Sequence, residues 1–442
     1  MGTRERAKTS WQLAAHNCER DLASLAGEGS IFGGSATEKL ERLLAELEPL
    51  SCRYDVVVAN PPYMGSSSLG KWMGAWVKKH YPEAYRDLCT GFIDRGFALS
   101  AADGYSAMVT MQSWMFLGSF EKLRGKILRN HSISSMAHLG TRAFGAIAGE
   151  VVSTTATVFA NVKSEVKGAY FRLVDMGSEA EKQEGLLEAL ANPDCGWFYR
   201  ADADGFGVIP GSPIAYWATK GELDAFNNGV PAAQIVDFVQ GLKPGDTERF
   251  IRAWHEVSGS CIFAMADIPS SFDYRQFTWY CLSNGGDYRK WFGNVADIVN
   301  WKNQGAEIRN FKDANGKCRA RVQNERFYFN RGLTWSALTS GPISVRVNER
   351  GVMCAGAGYF INANNEDLYM LGFLNSSVSA KIKSLLTESL NNEVGDLSRF
   401  PVLKSSNRKA TIEKFVLSCI EECQADWDAF EVSRGFRSHP LI

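Results

Sequence analysis

A short β-branched run that stops abruptly at two prolines constrains this chain more than any other feature. Residues 54–59, Tyr-Asp-Val-Val-Val-Ala, have the composition of a strand buried on both faces in a parallel sheet. Asn60-Pro61-Pro62-Tyr63 follows directly. Because proline cannot donate to a strand ladder, the strand must end there, and the tetrapeptide must form a loop at its carboxyl end. Ligands bind at that end in open α/β sheets.

The segments after this strand alternate between helical and extended patterns. Helices are predicted over 86–99 and 119–128, and strands over 105–111, 133–139 and 151–159. A Gly-rich loop over 140–149 joins the last two strands without a helix, so these strands can pair antiparallel at the edge of the sheet. The alternation predicts a doubly wound α/β domain.

Four regions are expected along the chain. Leucines spaced three and four apart over 36–50 predict an amphipathic helix, so residues 1–50 form a helical lead-in. Residues 51–162 form an α/β half-domain that carries the Pro-Pro turn. Shorter strands and frequent turns over 163–401 indicate a separate mixed α/β domain, and residues 402–442 form an acidic helical tail.

Composition excludes several classes of protein. With 442 residues, of which 45% are hydrophobic and 22% charged, the chain can build two or three cores, and it is neither disordered nor collagen-like. We find no run of 18 apolar residues and no signal peptide, so we expect a cytoplasmic protein without a membrane partner. The net charge of −1 neither favours nor excludes a nucleic-acid partner.

The tetrapeptide after the strand suits one kind of chemistry. The Asn60 side-chain oxygen and the Pro61 carbonyl, fixed by the rigid Pro61-Pro62 turn, can accept hydrogen bonds from both N–H groups of an exocyclic amine and aim its lone pair at a methyl donor. Tyr63 offers a ring on which an extruded base can stack, a contact of ~1–3 kcal/mol. The alternative is an ordinary turn after a strand, since Asn and Pro are common turn residues.

Several motifs occur together in this chain. They lie at 54–65, 107–116, 136–140, 149–152, 241–246, 287–294 and 393–397. In combination they resemble the class I, S-adenosylmethionine-dependent DNA adenine-N6 methyltransferases of the gamma motif order. Within that class they are most similar to the methyltransferases of BREX phage-exclusion systems, with the fused type IIG restriction–modification enzymes as a wider circle. The resemblance runs from Tyr54 to about Pro401.

This resemblance implies a fold and roles for particular residues. It implies a partial Rossmann-like class I methyltransferase sheet followed by a mixed α/β target-recognition domain that binds double-stranded DNA. Asn60, Pro61, Pro62 and Tyr63 would hold the flipped adenine. Phe144 would be the second aromatic residue that sandwiches the base, and the alternative for Phe144 is a plain core position.

The methyl-donor site implied by the resemblance is not found where it belongs. It should lie upstream, at a strand that ends in a Gly-rich turn, yet only about 53 residues precede the catalytic strand. Gly27–Gly34 contains glycines, but no β-branched strand precedes it. The cofactor S-adenosylmethionine is therefore expected without assigned residues. We also expect Tyr54–Ala59 to be an exposed apolar edge that needs an N-terminal half as partner, without which the chain is poorly soluble.

A basic stretch is the candidate DNA surface. Residues 301–350 contain ten Lys or Arg against four acids, with aromatic residues interleaved. The candidates for DNA contact are Arg289, Lys290, Arg309, Arg319, Arg321 and Arg326. The alternative is a solvated basic face beside core tryptophans.

Other reactive residues give weaker signals. The ten cysteines are scattered except for Cys419 and Cys423, which can share a metal or form one buried helical stripe; we expect no metal. Isolated histidines such as His138 are expected to be structural or exposed. No nuclease constellation of Asp, Glu and Lys is evident, which argues against a restriction enzyme.

The leading hypothesis is therefore a phage-defence DNA adenine-N6 methyltransferase, of which this chain is a part without the donor motif. One alternative is a non-catalytic DNA-recognition subunit, the product of a split gene that needs the donor half in trans. A second is a cytosine-N4 methyltransferase, which usually has Ser where this chain has Asn60.

Overall fold

The computed structural model describes Arg42, Ala45, Leu47 and residues 49–144, 152–263, 277–339, 341–387 and 391–439. Most of the predicted helix over 36–50, the Gly-rich segment Gly27–Gly34 and residues 145–149 of the predicted loop lie outside the described residues. The chain divides into two compact units. The first runs to Gly207 and includes Gly211–Trp217, and the second takes Val208–Pro210 and the chain from Ala218.

From Tyr54 onward the first unit contains the helices and strands predicted for it. In chain order they are β1 (Tyr54–Ala59), α1 (Lys71–His80), α2 (Leu88–Leu99), β2 (Ser100–Met111), α3 (Glu121–Asn130), β3 (Ser132–Gly140), β4 (Thr154–Ala160), β5 (Gly168–Arg172), α4 (Glu179–Ala191), β6 (Phe198–Ala201) and α5 (Ala203–Val208). α1, which follows the Pro-Pro turn, was not predicted.

The strands form one sheet in the order β1-β2-β4-β3-β5-β6. β1 pairs parallel with β2, and β3 pairs parallel with β5. The predicted antiparallel pairing of β3 with β4 is confirmed, but its predicted place at the sheet edge is wrong, because β4 lies between β2 and β3. β5 and β6 continue the same sheet, so the compact unit extends past the expected boundary at residue 162.

Helices cover one face of this sheet more fully than the other. Ile93 of α2 and Ile127 of α3 are completely buried in one core with Met136 and Phe159 of the sheet, and each such side chain contributes ~1.5–3 kcal/mol by burial. On the opposite face α4 packs against β5.

β1 is the outermost strand of the sheet among the described residues. Its side chains Val56 and Val58 are 57% and 74% exposed. The prediction that Tyr54–Ala59 is buried on both faces is therefore wrong for the described chain, while the predicted exposed apolar edge is confirmed.

The second unit is a mixed α/β structure. Its elements are α6 (Lys220–Asn228), β7 (Val230–Pro231), β8 (Asp237–Val239), α7 (Thr247–Phe250), β9 (Ile251–Ala253), β10 (Ile262–Phe263), β11 (Trp279–Ser283), β12 (Asp297–Asn300), α8 (Lys302–Arg309), β13 (Gly332–Ser336), β14 (Val345–Asn348), β15 (Met353–Cys354), β16 (Gly358–Asn362), α9 (Asp367–Leu374), α10 (Ser377–Leu386), α11 (Val394–Leu397), β17 (Pro401–Val402) and α12 (Ser406–Asp428). One sheet has the order β10-β11-β12-β9 with β15 beside β11, a second has the order β14-β13-β16-β8, and β17 pairs with β7.

α12, with 23 residues, lies where a helical tail is predicted. It alternates charged and apolar residues along its length. In the part of the chain that the structure describes, no helix combines the length and the apolar character needed to cross a bilayer.

Candidate active site and DNA-binding surface

The turn after β1 presents an amide at the rim of the sheet. Pro61 is buried, whereas Asn60 and Pro62 are exposed and Tyr63 is half-buried. The two prolines have fixed φ angles and no N–H to pair, so the chain leaves the ladder with little conformational freedom. Asn60 is consequently held on a rigid backbone with its side chain accessible, which is the arrangement that a base-holding residue requires.

Tyr63 is linked to Asn60. Its hydroxyl donates a hydrogen bond of 3.2 Å to Asn60 Oδ1. Burial, with a smaller contribution from Cys89, raises the pKa of the Tyr63 phenol, so the hydroxyl remains a donor at neutral pH. Because an amide oxygen has two lone pairs, Asn60 Oδ1 can still accept a second hydrogen bond.

Asp87 fastens the turn to the helix beside it. Asp87 is the N-cap residue of α2, and its Oδ1 atom accepts a hydrogen bond from Cys89 N at 3.0 Å. The same atom accepts a hydrogen bond from Met64 N at 3.3 Å. Backbone bonds from Leu88 N to Met64 O and from Ser66 N to Arg86 O complete the connection. The segment after the turn is therefore tied to the N-terminus of a buried helix.

The carboxyl ends of β1, β2, β3 and β5 meet at one edge of the sheet, because these four strands run in the same direction. Gln112 follows β2 at this edge and His138 is near the end of β3. Sequence reasoning assigned neither residue to the site, although it placed both in motifs of the resemblance.

His138 is fully enclosed and fully bonded. Its Nε2 donates to Gln112 Oε1 at 3.0 Å, and its Nδ1 accepts from the Tyr216 hydroxyl at 2.9 Å. Burial, together with the positive charges of Arg172 and Lys182, lowers the pKa of His138 to about 3. The imidazole is therefore neutral at physiological pH and joins the sheet edge to the segment that carries Tyr216.

Phe144 lies in the loop after β3, four residues beyond Gly140, and it is half-buried. This loop starts at the same edge of the sheet as the Asn60 turn. The role of Phe144 as the second base-stacking residue stays a prediction.

Two of the predicted DNA-contacting residues have partners inside the second unit. Arg289 bonds Asp426 at 2.7 Å and its guanidinium lies 5.1 Å from the Trp427 ring. Lys290 Nζ donates to the Asn375 carbonyl at 2.7 Å. Both side chains are half-buried, and each holds the 287–294 loop against another part of the second unit.

The other four predicted residues are exposed, and three stand over aromatic rings. The guanidinium of Arg309 lies 5.3 Å from Trp301, that of Arg319 lies 5.3 Å from Phe311, and that of Arg326 lies 4.7 Å from Phe327. Arg309 also forms a two-point ion pair with Glu325, at 3.0 and 2.5 Å. Arg319, Arg321 and Arg326 thus present charge more openly than Arg309.

The 241–246 motif packs beside Arg319 and Arg321. Backbone bonds join Lys243 to Arg321 in both directions, at 3.0 and 2.7 Å. Gly245 has a φ of +83°, and a Cβ atom there would come within 2.7 Å of the Arg319 backbone, so glycine is required by conformation and by space. Lys243 is exposed and adds a further cation to this surface.

The structure gives no support to a metal centre in the described residues. No three of their His, Cys, Asp or Glu side chains come together as a metal site would require. Cys419 and Cys423 lie on one side of α12 but are only half-buried, so the predicted buried helical stripe is met in part.

Two solved structures of restriction–modification enzymes have folds similar to that of this chain. The type IIL enzyme MmeI, solved in complex with DNA, aligns with a TM-score of 0.53 over 86% of this chain and 50% of that chain, at 13% identity. A nuclease-deletion mutant of the type ISP enzyme LlaGI aligns with a TM-score of 0.50 over 89% of this chain and 37% of that chain, at 11% identity. These likenesses confirm the methyltransferase-like α/β fold.

Sequence relatives cover nearly the whole chain. A family model for Eco57I restriction-modification methylase matches residues 27–144. The adenine-specific methyltransferase PglX of Lacticaseibacillus casei (strain Zhang) is 36% identical over 96% of this chain and 35% of that protein. BrxX of Escherichia coli O9:H4 (strain HS), with the same description, is 38% identical over 95% of this chain and 33% of that protein. The chain is therefore a relative of the PglX and BrxX adenine-specific methyltransferases along almost all of its own length and about a third of theirs.

Proposed function

We propose that this chain is the base-holding and DNA-recognition part of a DNA adenine-N6 methyltransferase of a bacterial phage-defence system. The relatives that match nearly its full length are described as adenine-specific methyltransferases. One observation carries the proposal: Asn60 stands exposed on a rigid Pro-Pro turn at the carboxyl end of β1, with Tyr63 beside it.

In the proposed reaction the turn acts on a flipped adenine. Asn60 Oδ1 and the Pro61 carbonyl accept the two N6–H groups, which favours the tetrahedral nitrogen of the transition state over the conjugated amine. The Tyr63 hydroxyl fixes the orientation of the Asn60 amide, and the Tyr63 ring stacks on the base. Pro62 keeps these groups in place.

The described residues supply this half of the reaction and not the donor half. S-adenosylmethionine is the methyl donor that such methyltransferases use in general. The strand and Gly-rich turn that would bind it are not found beside β1, which is the end strand of the described sheet. We therefore assign no described residue to the methyl donor.

The exposed edge and face of β1 are where the donor half would pack. Val58 lines an open apolar groove on this face together with Val109, Ala137 and Val158 of the neighbouring strands. No charged residue lines the groove. A polypeptide that added a strand beside β1 and covered the groove would pair the edge backbone groups of β1 and bury the apolar surface. We propose that the remainder of the longer enzyme does this, in cis or in trans.

We propose that the second unit binds the double-stranded DNA target. Lys243 of the 241–246 motif forms an exposed basic surface with Arg319 and Arg321, and Arg326 is a further exposed arginine in the same stretch of sequence. Their guanidinium and ammonium groups suit phosphate contacts, while the aromatic rings beneath Arg319 and Arg326 restrict the side chains.

A reconstituted methylation assay tests the proposal. The chain is mixed with the separately produced N-terminal part of a BrxX-type relative, labelled S-adenosylmethionine and unmethylated duplex DNA, and the products are identified as nucleosides by mass spectrometry. We expect N6-methyladenine only from the mixture. Asn60→Ala should lower the rate by about 10²–10³-fold, by analogy with the loss of one preorganised hydrogen-bonding group.

Each other result has a distinct meaning. Equal activity of Asn60→Ala would contradict the assignment of the turn. N4-methylcytosine as product would favour the cytosine-N4 alternative. Methylation by the chain alone would contradict the assignment of the donor half to another segment. DNA binding without methylation in any mixture would favour the alternative of a non-catalytic recognition subunit.

A further inference from the structure

We propose that a surface around α1 contacts duplex DNA beside the nucleotide that the Asn60 turn receives. It consists of the exposed side of α1, with Trp72, Trp76 and Lys79, and of the neighbouring cations Lys78 and Arg86. This inference rests on the proposed function and extends it to a surface that the sequence motifs do not include. It identifies one partner, a DNA duplex, by the charge and the rings on this face.

α1 shows its apolar stripe to solvent. Trp72, Trp76 and Lys79 recur at helical spacing on the side opposite Val77, the one buried side chain of the helix. Trp72 is 73% exposed and Trp76 is 40% exposed. A ten-residue helix held by a single buried side chain is marginal in water, so a partner that covers the stripe would stabilise it.

The charge on α1 is of one sign. α1 contains three lysines and no acid. Lys78 Nζ lies 5.5 Å from the Tyr85 ring and the Arg86 guanidinium lies 4.9 Å from it, so the ring has two cations close by. Such a face favours a polyanion.

The position of α1 follows from the connections of the turn. Ser66 N bonds Arg86 O at 2.8 Å, and Gly65 forms a bridge with Asp87. These contacts close a loop in which α1 lies, and the base of that loop is only a few residues from Asn60. A base that reaches Asn60 from a duplex would bring the flanking phosphates into this neighbourhood.

DNA fits this face better than a protein segment does. The exposed side chains Val56 and Val58 of β1 carry no charge, which suits an apolar polypeptide partner. The face of α1 instead combines lysines, which suit contacts with duplex phosphates, with exposed indole rings, which can pack on deoxyribose or on bases unstacked next to a flipped nucleotide. We therefore infer that the two neighbouring surfaces take different partners.

Duplex binding by the full chain, measured by fluorescence anisotropy over a series of salt concentrations, tests the proposal. Lys78→Gln and Lys79→Gln should each flatten the slope of log K against log salt concentration by about 0.9. Trp72→Ala should weaken binding about tenfold at every salt concentration with the slope unchanged. Circular dichroism and thermal melting should match the unsubstituted chain, because these side chains are exposed.

The chain provides matched controls at the opposite edge of the sheet. Val166 is 76% exposed and Lys167 is exposed, just before the amino end of β5. Val166→Ala and Lys167→Gln should leave both affinity and slope unchanged. Effects of the controls as large as those of the α1 variants would overturn the proposal.

The remaining outcomes separate this proposal from the proposed function. If the unsubstituted chain binds DNA and the α1 variants bind equally well with the same slope, the α1 surface is overturned and the function stands. If the variants lose association with the N-terminal part of a relative but keep their DNA affinity, α1 is a protein contact and the proposal fails. A chain that binds no duplex at any salt concentration would overturn both.

Discussion

Two polar residues at the same edge of the same sheet differ in almost every physical respect. Asn60, after β1, is exposed, and the bond from Tyr63 leaves its oxygen with a further lone pair. His138, near the end of β3, is completely buried, and both of its ring nitrogens are bonded to neighbouring side chains. Asn60 is accessible to a ligand, whereas His138 is a structural residue that connects Gln112 with Tyr216.

The difference shows that chemical reactivity is a poor guide to this site. Histidine is the residue that titrates near neutral pH, yet burial lowers the pKa of His138 to about 3 and removes it from proton transfer. The amide of Asn60 never titrates, but the backbone presents it correctly. In the reaction that we propose, methyl transfer to an amine needs oriented acceptors more than it needs a strong base.

After the loss expected for Asn60→Ala, the largest effect that sharpens this contrast is expected at Tyr63. In the reconstituted methylation assay Tyr63→Ala should lower kcat/KM by about 10–100-fold, because the stacking ring and the bond to Asn60 are both lost. Tyr63→Phe keeps the ring and should lose only a few-fold, about what one modest hydrogen bond contributes. An equal loss in both variants would show that the hydroxyl, and not stacking, is the main contribution.

A pH effect on stability is expected from His138. The unfolded chain binds a proton on this residue near pH 6.5, whereas the folded chain binds it only near pH 3. Stability from the neutral imidazole is therefore present above pH 6.5 and is lost as the pH falls from 6.5 toward 3. His138→Gln should make the free energy of unfolding less pH-dependent in that window, by up to ~1.4 kcal/mol per pH unit. Identical pH profiles from urea denaturation would contradict a buried neutral His138.

A smaller effect is expected at Asp87. Asp87→Ala removes the N-cap of α2 and the bond to Met64 N, and should lower the free energy of unfolding by ~1 kcal/mol. Asp87→Asn retains an acceptor for the cap and is the matched control. If the methylation rate of Asp87→Ala falls further than its loss of folded protein accounts for, Asp87 also positions the Asn60 turn. An unchanged denaturation midpoint for Asp87→Ala would contradict its role as a cap.

Local patterns predicted much of the first unit. β1, β2, β3 and the two core helices α2 and α3 are present because their hydrophobic periods are clear. α1 was not predicted, since its apolar side chains face solvent and give no core-facing stripe. The place of β4 inside the sheet was also missed, because strand order depends on long-range pairing that sequence periodicity does not encode.

The six predicted DNA-contacting residues show what composition cannot resolve. All lie in or near a basic stretch, but Arg289 and Lys290 are half-buried with intramolecular partners, while Arg319, Arg321 and Arg326 are exposed. An arginine that pairs with an aspartate 137 positions away cannot be told from an open one by local sequence. Their contacts with DNA stay predictions.

The sequence by itself determined that a strand ends at Asn60-Pro61-Pro62-Tyr63, because the missing N–H groups and the fixed φ angles of proline act locally. Only the tertiary structure decided that Asn60 is accessible, that Asp87 anchors the following segment and that His138 is sealed in. These three features depend on which side chains, distant in sequence, become neighbours in the folded chain. The packing of the whole sheet against its helices determines those neighbours.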